Sequence, residues 1–200
     1  MQTALLSVYR KDGIVEFARE LREMGWDLLA SGGTAKALAD AGLPVHDVAT
    51  IVGSEPILGH RVVTLSREIA AGLLAKDTPE DSAELERIGV SRIDLVCVDL
   101  YPLHKEIFRE GATEESVTEM TDIGGPTLLR EAAKGRRIVI AEPEYRYRVL
   151  SWLRDGRVNE REFVRELASR AEMVVARYCL ASACYLSYGA LNRLSIPPEN

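Results

Sequence analysis

The chain has 200 residues, of which 46% are hydrophobic and 28% are charged, with a formal net charge of −6 at pH 7. The hydrophobic content supplies a sizeable core and excludes a disordered chain, and the length suits one large domain or a domain with an extension. The negative charge argues against a nucleic-acid partner, although a locally basic pocket for one phosphate group is compatible with it.

Signals for membrane insertion, secretion and metal binding are missing from the sequence. No apolar run reaches the roughly 18 residues that span a bilayer, and the N-terminus has no basic region before its short apolar run. We therefore expect a cytoplasmic protein with no membrane partner. The cysteines Cys97, Cys179 and Cys184 are odd in number and lack metal-ligand spacing, so we interpret them as reduced, buried residues and expect no metal.

Apolar strands alternate with amphipathic helices along most of the chain. Apolar runs predict strands over residues 3–8, 26–30, 43–48, 93–100 and 137–141. Helical spacing of apolar residues predicts helices over residues 12–24, 36–41, 67–75, 113–120, 127–134, 143–153 and 159–187, with Asp12 capping the first and the last being one helix or two. The alternation predicts an α/β fold, with a mostly parallel sheet sandwiched by helices and a C-terminal helical extension.

The connecting segments are polar or rich in glycine and proline. Residues 49–60 and 76–82 are predicted loops, and residues 61–65 are predicted to be extended. Residues 191–200 are interpreted as a tail or linker that follows a domain of residues 1–190.

A first glycine-rich motif, Ser31-Gly-Gly-Thr-Ala35, follows the second predicted strand and precedes a predicted helix. This arrangement presents free backbone N–H groups to a phosphate group. The hydroxyls of Ser31 and Thr34 would add hydrogen bonds, and Lys11 at the end of the first strand would add positive charge. Taken alone, the motif is also typical of an ordinary turn in which Ser or Thr caps the helix.

A second glycine-rich motif, Asp122-Ile-Gly-Gly-Pro126, precedes the predicted helix that ends at Lys134. Gly124 and Gly125 let the backbone approach a ligand closely, and Pro126 suits the first turn of a helix. The alternative is a plain loop that leads into an amphipathic helix. Two such motifs in one chain favour a site for a polar or anionic ligand.

Asp99 and Tyr101 follow the most apolar predicted strand, which ends at Tyr101-Pro102. Ligands of open α/β sheets bind at the carboxyl ends of the strands, so both residues are candidate site residues. A tyrosine at a protein rim with its hydroxyl in water is the alternative for Tyr101.

Five motifs carry a resemblance over nearly the whole chain, at residues 6–13, 29–38, 61–65, 99–102 and 121–134. In this order they resemble the IMP cyclohydrolase domain of the bifunctional purine biosynthesis family PurH. The resemblance implies a methylglyoxal-synthase-like fold and the closure of 5-formamidoimidazole-4-carboxamide ribotide, a purine-precursor ribonucleotide, to IMP with loss of water. It implies no cofactor, and it implies a formyltransferase in a further domain or in a separate protein.

The same resemblance implies roles for individual residues. The 5′-phosphate would be held by Lys11, Ser31, Gly32, Gly33 and Thr34, with Ser7 nearby. The base and ribose would be contacted by Arg61, Thr64, Asp99 and the backbone of Gly124 and Gly125. Proton transfer and polarisation would fall to Tyr101, Asp122 and Lys134.

Several family residues are replaced in this chain. Val63 stands where the family has a lysine, Asp99 and Gly135 each stand where it has asparagine, and Tyr178-Cys179 replaces a Tyr-Asp pair. Loss of a lysine from a charge-stabilising position costs several kcal/mol of transition-state stabilisation.

Three functions are compatible with these substitutions. The first is an IMP cyclohydrolase that uses Tyr101, Asp122 and Lys134. The second is a cyclohydrolase-derived enzyme for an analogue nucleotide in a specialised nucleoside pathway, because the carboxylate of Asp99 accepts hydrogen bonds and does not donate them. The third is a non-catalytic sensor of purine nucleotides. The apolar C-terminal helices also predict a homodimer.

Overall fold

A parallel sheet of five strands forms the centre of the fold. The structure, a computed structural model, describes residues 2–52 and 64–188. Its strands are β1 (Thr3–Val8), β2 (Asp27–Ala30), β3 (His46–Asp47), β4 (Leu95–Asp99) and β5 (Ile138–Ile140), in the order β3-β2-β1-β4-β5. All four pairings are parallel, and Leu5 of β1 lies opposite Leu29 and Val96. The α/β fold with a parallel sheet is therefore confirmed.

Helices connect the strands and extend beyond the last one. In chain order they are α1 (Ile14–Glu23), α2 (Gly32–Asp40), α3 (Val48–Val52), α4 (Arg67–Leu74), α5 (Pro79–Arg87), α6 (Leu103–Phe108), α7 (Glu114–Glu119), α8 (Gly124–Lys134), α9 (Tyr145–Arg154) and α10 (Glu160–Tyr188). Among the described helices, none is long and apolar enough to cross a membrane.

The strand order places the helices on both faces of the sheet. From β1 the chain moves to β2 and β3 on one side of the sheet, and it later moves to β4 and β5 on the other side. Because connections between parallel strands are right-handed, the helices of these two sets of connections lie on opposite faces of the sheet. Accordingly α1 packs against α2 and α9, whereas α8 packs against α4 and α10. The predicted C-terminal extension is one helix, and four of its buried residues, Phe163, Leu167, Ala171 and Val175, recur every fourth position.

Two segments that were predicted as loops from their composition contain helices. Residues 48–52 form α3, and α5 begins at Pro79 inside the segment predicted as a loop. The side chain of Thr78 accepts a hydrogen bond from the N–H of Asp81, so this Pro-containing segment is a capped helix start. The short helix α6 was also unpredicted, and β3 is shorter than the predicted strand at residues 43–48.

Both glycine motifs lie within the first turns of helices. Helix α2 begins at Gly32 and α8 at Gly124, several residues earlier than predicted. The N-cap of α1 is Gly13 with a left-handed φ of 67°, and the prediction of Asp12 was wrong. Because glycine adopts this conformation without steric cost, Gly13 turns the chain two residues after Lys11.

The three cysteines differ in their environments. Cys97 is buried in β4, whereas Cys179 is exposed and Cys184 is partly exposed on α10. Burial was therefore correctly predicted for Cys97 and wrong for Cys179. All three are free thiols, and the described residues contain no cluster of His, Cys, Asp and Glu placed to hold a metal ion.

Candidate functional site

The candidate site lies where the strand order reverses. Strands β1 and β4 are neighbours at the centre of the sheet, and the chain leaves them toward opposite sides. A crevice forms beyond the carboxyl ends of such a strand pair, and ligands of doubly wound folds bind there. Residues 9–11 follow β1 and residues 100–102 follow β4, so both predicted halves of the site meet at this edge.

The start of α2 offers backbone N–H groups beside a lysine. Ser31 is the N-cap residue, but its side chain does not cap the helix and its Oγ lies 2.9 Å from Oγ of Ser7. A Cβ on Gly33 would lie 3.8 Å from Cε of Lys11. The first turn is thus flanked by two hydroxyls and an ammonium group, an arrangement suited to an anion.

Thr34 and Lys11 both interact with the end of β1. The Thr34 hydroxyl donates to the carbonyl oxygen of Val8 over 3.2 Å and accepts from the N–H of Val8 over 3.1 Å. Thr34 is buried and its hydroxyl joins α2 to β1, so its contact with a phosphate group stays a prediction. The ammonium group of Lys11 donates to the carbonyl oxygens of Val8 and Tyr9.

Burial lowers the pKa of Lys11, and the nearby carboxylate of Asp99 opposes that shift. An ammonium group that is partly withdrawn from water interacts more strongly with an incoming anion than one in bulk solvent. Lys11 therefore supplies the positive charge of this half of the site.

Asp99 at the end of β4 is bound by a residue that the sequence analysis did not select. Its Oδ2 accepts from the backbone N–H and from Nε of Arg10 at 2.8 and 3.0 Å, and its Oδ1 accepts from Nη2 at 2.8 Å. Asp99 is 7% exposed. Both carboxylate oxygens of Asp99 face Arg10, and the contact of Asp99 with a substrate stays a prediction.

Two tyrosine rings mark the rim of the crevice. Tyr9 and Tyr101 follow the two central strands, and their ring centroids lie 5.4 Å apart at an interplanar angle of 59°. Both side chains are more than two fifths exposed. Burial of its hydroxyl raises the pKa of Tyr101, with smaller contributions from the charges of Asp122 and Tyr9. Tyr101 is therefore a neutral hydrogen-bonding group near neutral pH.

Asp122 lies two residues before the start of α8, and its side chain faces the first turn of that helix. Its Oδ1 accepts from the N–H of Gly125 over 2.9 Å. Burial raises the pKa of Asp122, and hydrogen bonds from the backbone N–H groups of Gly125, Tyr101 and Gly124 oppose that shift. The group combines a raised pKa with a position at the crevice, which is the pattern of acid and base residues in enzymes.

The two glycines of α8 allow close packing at this point. A Cβ on Gly125 would lie 2.5 Å from Oδ2 of Asp122, and one on Gly124 would lie 2.8 Å from Oγ1 of Thr64. Thr64 therefore lies beside the Asp122 turn, and its contact with a base or ribose stays a prediction. Arg61 and Val63 lie outside the described residues.

Lys134 lies at the other end of α8. It comes ten residues after Gly124 in an 11-residue helix, which corresponds to about 15 Å along the axis. Its exposed side chain and Asp122 line the same largely apolar groove of about 650 Å³ between α8 and α10, together with Tyr178, Cys179 and Leu186. The structure thus separates Lys134 from Asp122 along one groove.

Tyr178 is a second residue that sequence reasoning left without a site role. Its hydroxyl accepts from the N–H of Asp122 over 2.7 Å and donates to the carbonyl oxygen of Met120 over 3.0 Å. Burial raises the pKa of Tyr178, so the hydroxyl keeps its proton for this bond. The sequence did not indicate this contact, because 56 residues separate Tyr178 from Asp122.

Residues 13–127 match the family model of the MGS-like domain. The chain belongs to the MGS-like domain family. Among its relatives, the bifunctional purine biosynthesis protein PurH of a Cyanothece species is 44% identical over 201 residues, covering 98% of this chain and 39% of that protein. PurH of Desulfitobacterium hafniense is 42% identical over 186 residues, covering 92% of this chain and 36% of that protein.

A solved structure agrees with this assignment. The crystal structure of ForH is similar to the MGS-like chain with a TM-score of 0.82 and 32% sequence identity, covering 94% of this chain and 97% of ForH. The resemblance to PurH is confirmed, and the chain spans less than two fifths of the length of these two PurH relatives.

Proposed function

We propose that the chain is an IMP cyclohydrolase-like enzyme, which closes 5-formamidoimidazole-4-carboxamide ribotide to IMP with release of water. One observation carries the proposal: an anion-binding helix start with Lys11 lies at the same sheet edge as Asp122 and Tyr101. Such a crevice binds a nucleotide by its phosphate group and leaves the reacting base beside acid and base groups.

The phosphate group would occupy the start of α2. Backbone N–H groups of the first turn, the Lys11 ammonium group and the Ser7 and Ser31 hydroxyls supply donors without a metal ion. Gly33 leaves the space above these N–H groups open, because it has no Cβ.

The reaction itself is intramolecular. The carboxamide nitrogen attacks the formyl carbon, a C–N bond forms, and one of the two protons of this nitrogen passes to the formyl oxygen, which becomes a hydroxyl group. The formamido nitrogen then gives up its proton, the hydroxyl leaves as water, and a C=N bond forms between the former formyl carbon and the formamido nitrogen. Fixing the two substituents in contact lowers the barrier, since the reaction needs little beyond orientation and proton transfer.

Asp122 and Tyr101 fit these proton transfers. A carboxyl group with a raised pKa holds a proton closer to neutral pH, so Asp122 donates to the departing hydroxyl group. Tyr101 donates a hydrogen bond to the formyl oxygen as negative charge develops on it. Lys134 lies farther along α8, and the role in proton transfer that the family resemblance implies for it stays part of the proposal. Lys134→Met is therefore expected to lower kcat, and an unchanged kcat would exclude that role.

The proposal includes a partner and an assembly. The substrate must carry a formyl group, so a formyl-transfer reaction precedes this one, in the same polypeptide or in a separate protein. A homodimer would cover apolar side chains along the groove between α8 and α10, where Ile123 is 62% and Leu186 is 74% exposed. Sedimentation equilibrium would measure the mass, and a monomer at micromolar concentration would exclude the dimer.

An analogue nucleotide is the second candidate substrate. The observation that favours it is the Arg10–Asp99 ion pair. The PurH family has asparagine at position 99, and its amide group is both a hydrogen-bond donor and an acceptor, whereas the guanidinium group of Arg10 only donates. A substrate base with a different pattern of acceptors would suit this site better than the usual precursor.

The deciding measurement is ring closure of the formamido ribotide followed by ultraviolet absorbance. The unmodified chain is expected to exceed the spontaneous rate, and Tyr101→Phe is expected to lower kcat by about 10²-fold, at the lower end of acid–base contributions. Tyr147→Phe is the matched control, since Tyr147 is 76% exposed on α9. A rate equal to the spontaneous one would exclude the cyclohydrolase. If the Val63→Lys variant were then active, the site would be one that binds a nucleotide for another reaction or for sensing.

A further inference from the structure

The ion pair between Arg10 and Asp99 joins the ends of the two central strands. Asp99 accepts three hydrogen bonds from Arg10, two from the guanidinium group and one from the backbone N–H. The N–H of Tyr9 donates to the carbonyl oxygen of Asp99 over 3.0 Å. Main chain and side chain of residues 9 and 10 are therefore held to the end of β4.

The two partners differ in exposure. The Asp99 side chain is 7% exposed, whereas the Arg10 side chain is 53% exposed. A carboxylate removed from water is costly unless it is paired and hydrogen-bonded. Asp99 is therefore compatible with its buried position because Arg10 satisfies its oxygens, and Arg10 is the member of the pair that reaches solvent in the crevice.

The guanidinium group is held in a defined orientation. Two of its nitrogens bind the two oxygens of one carboxylate, a fork geometry that fixes the plane of the group. Lys11 is the next residue in the chain, and Tyr9 on the other side contacts the ring of Tyr101. Arg10 thus lies in the chain between Lys11 and Tyr9, the residue whose ring contacts Tyr101.

We infer that Arg10 is a specificity-determining residue, whose guanidinium group donates to the exocyclic carbonyl oxygen of a bound nucleotide base, and that Asp99 is the residue that positions it. The inference rests on the proposed function for the identity of the nucleotide. The N–H groups of α2 and Lys11 already supply donors for the phosphate group, whereas the Arg10 side chain is bound to Asp99 at the end of β4, two residues before Tyr101. An oxygen on the base is therefore the acceptor that Arg10 serves.

Nucleotide binding by calorimetry provides the first test. The probes are IMP, which has a carbonyl oxygen at position 6 of the base, and purine riboside 5′-monophosphate, which lacks that oxygen. The unmodified chain is expected to prefer IMP by about 10- to 100-fold, the range for a hydrogen bond from a charged donor. Arg10→Met is expected to abolish the preference and to leave the affinity for the oxygen-free nucleotide nearly unchanged.

The Asp99→Asn variant separates positioning from direct contact. If Asp99 acts through Arg10, the asparagine amide replaces one of the two oxygens that bind the guanidinium group, and the preference for IMP falls. If residue 99 contacts the base directly, restoring the asparagine of the PurH family would strengthen IMP binding, and the inference would be overturned. Equal weakening of both nucleotides by Arg10→Met would assign Arg10 to the phosphate and would likewise overturn it.

A control variant shows whether the loss of any ion pair, and not of the Arg10–Asp99 pair in particular, changes nucleotide affinity. Arg148 and Glu166 form another two-pronged pair on the exposed surfaces of α9 and α10. Arg148→Met is expected to leave both nucleotide affinities unchanged. Arg10→Lys keeps the charge without the fork, so it is expected to recover only part of the preference for IMP.

Turnover distinguishes failure of this inference from failure of the proposed function. A chain that binds IMP through Arg10 but does not close the formamido ribotide would exclude the cyclohydrolase and retain the inference. A chain that catalyses the closure with no dependence on Arg10 would retain the cyclohydrolase and exclude the inference. Failure of the unmodified chain to discriminate between the two nucleotides would exclude the inference whatever the turnover.

Discussion

The hydroxyl of Tyr178 on α10 accepts a hydrogen bond from the backbone N–H of Asp122 over 2.7 Å and donates one to the carbonyl oxygen of Met120. A single side chain thus satisfies two backbone groups in the turn that precedes α8. The helix beyond β5 thereby holds the residue that we propose as the acid of the reaction.

Replacing Tyr178 by Phe is expected to weaken this turn. The change leaves one N–H and one carbonyl oxygen without their partner, which costs about 1–2 kcal/mol in the free energy of unfolding. Loss of orientation at Asp122 should also lower kcat more than it changes KM. Urea denaturation and steady-state kinetics measure the two effects.

Tyr185→Phe is the matched control, because Tyr185 is buried on the same helix and packs in the cluster with Leu103 and Ile107. It is expected to change kcat little. Equal kcat values for the unmodified chain and Tyr178→Phe would show that the tyrosine does not position Asp122.

Replacing Gly33 by Ala is expected to separate stability from phosphate binding. A Cβ at this position meets only Lys11 at ordinary contact distance, and alanine favours a helix over glycine by roughly 0.5–1 kcal/mol. The variant should therefore fold at least as stably. The added methyl group occupies the space above the N–H groups of α2, so IMP affinity should fall by 10-fold or more, about the value of one charged hydrogen bond.

Inosine provides the control ligand because it lacks the phosphate group. Its affinity should be the same for Gly33→Ala and the unmodified chain, with both measured by calorimetry. Unchanged IMP binding in a folded Gly33→Ala variant would place the phosphate group elsewhere.

The sequence predicted the sheet and the helices that follow the two glycine-rich motifs, because those features depend on local patterns. Apolar runs identified the strands, and two glycine-rich motifs, one after β2 and one after α7, indicated where α2 and α8 begin. Parallel strands with alternating helices then brought both motifs to one sheet edge. The family motifs added the residue types expected in the crevice.

Residue partners distant in sequence were not predictable in the same way. Arg10 and Asp99 are 89 residues apart in the sequence, and neither residue by itself indicates that the two form an ion pair. Thr34 had the residue type of a phosphate ligand, but the close packing of α2 on β1 directs its hydroxyl to Val8. Lys134 was grouped with Asp122 by motif, although helix geometry places them far apart.

Replacing Gly135 by Asn restores the residue of the PurH family and is nevertheless expected to destabilise this chain. A Cβ on Gly135 would lie 2.0 Å from the carbonyl oxygen of Leu73, which also accepts a bond from Nε of Arg137. Since the obstacle is backbone, the end of α4 would have to move. Overpacking of this kind costs about 1–3 kcal/mol in the free energy of unfolding, measurable by urea denaturation.

Gly156→Asn is the control for the Gly135 variant. Gly156 has a φ of +78° and no atom within 4 Å of its would-be Cβ, and asparagine tolerates left-handed backbone better than most residues. The control should lose less stability than Gly135→Asn. If the two variants unfold at the same urea concentration, close packing is not the reason for glycine at position 135.

The ion pair between Glu106 and Arg109 gives the fold a pH-dependent contribution to its stability. The hydrogen bond from Arg109 lowers the pKa of Glu106 from 4.5 to about 2, with a further contribution from Ser116. A carboxyl group with a lowered folded-state pKa stabilises the fold fully above its unfolded-state pKa, and the contribution disappears as the pH falls through the folded-state value. The stabilisation is therefore complete above pH 4.5 and declines between pH 4.5 and about 2.

Glu106→Gln removes this titration while it keeps the size of the side chain. Its melting temperature should lie below that of the unmodified chain at pH 7, and the gap should close as the pH is lowered toward 2. Because Glu106 and Ser116 join α6 to the start of α7, the loss should be local to this corner, which hydrogen exchange at residues 103–119 would reveal. A gap that stays constant from pH 7 to pH 2 would mean that the residue acts through packing and that its charge contributes nothing.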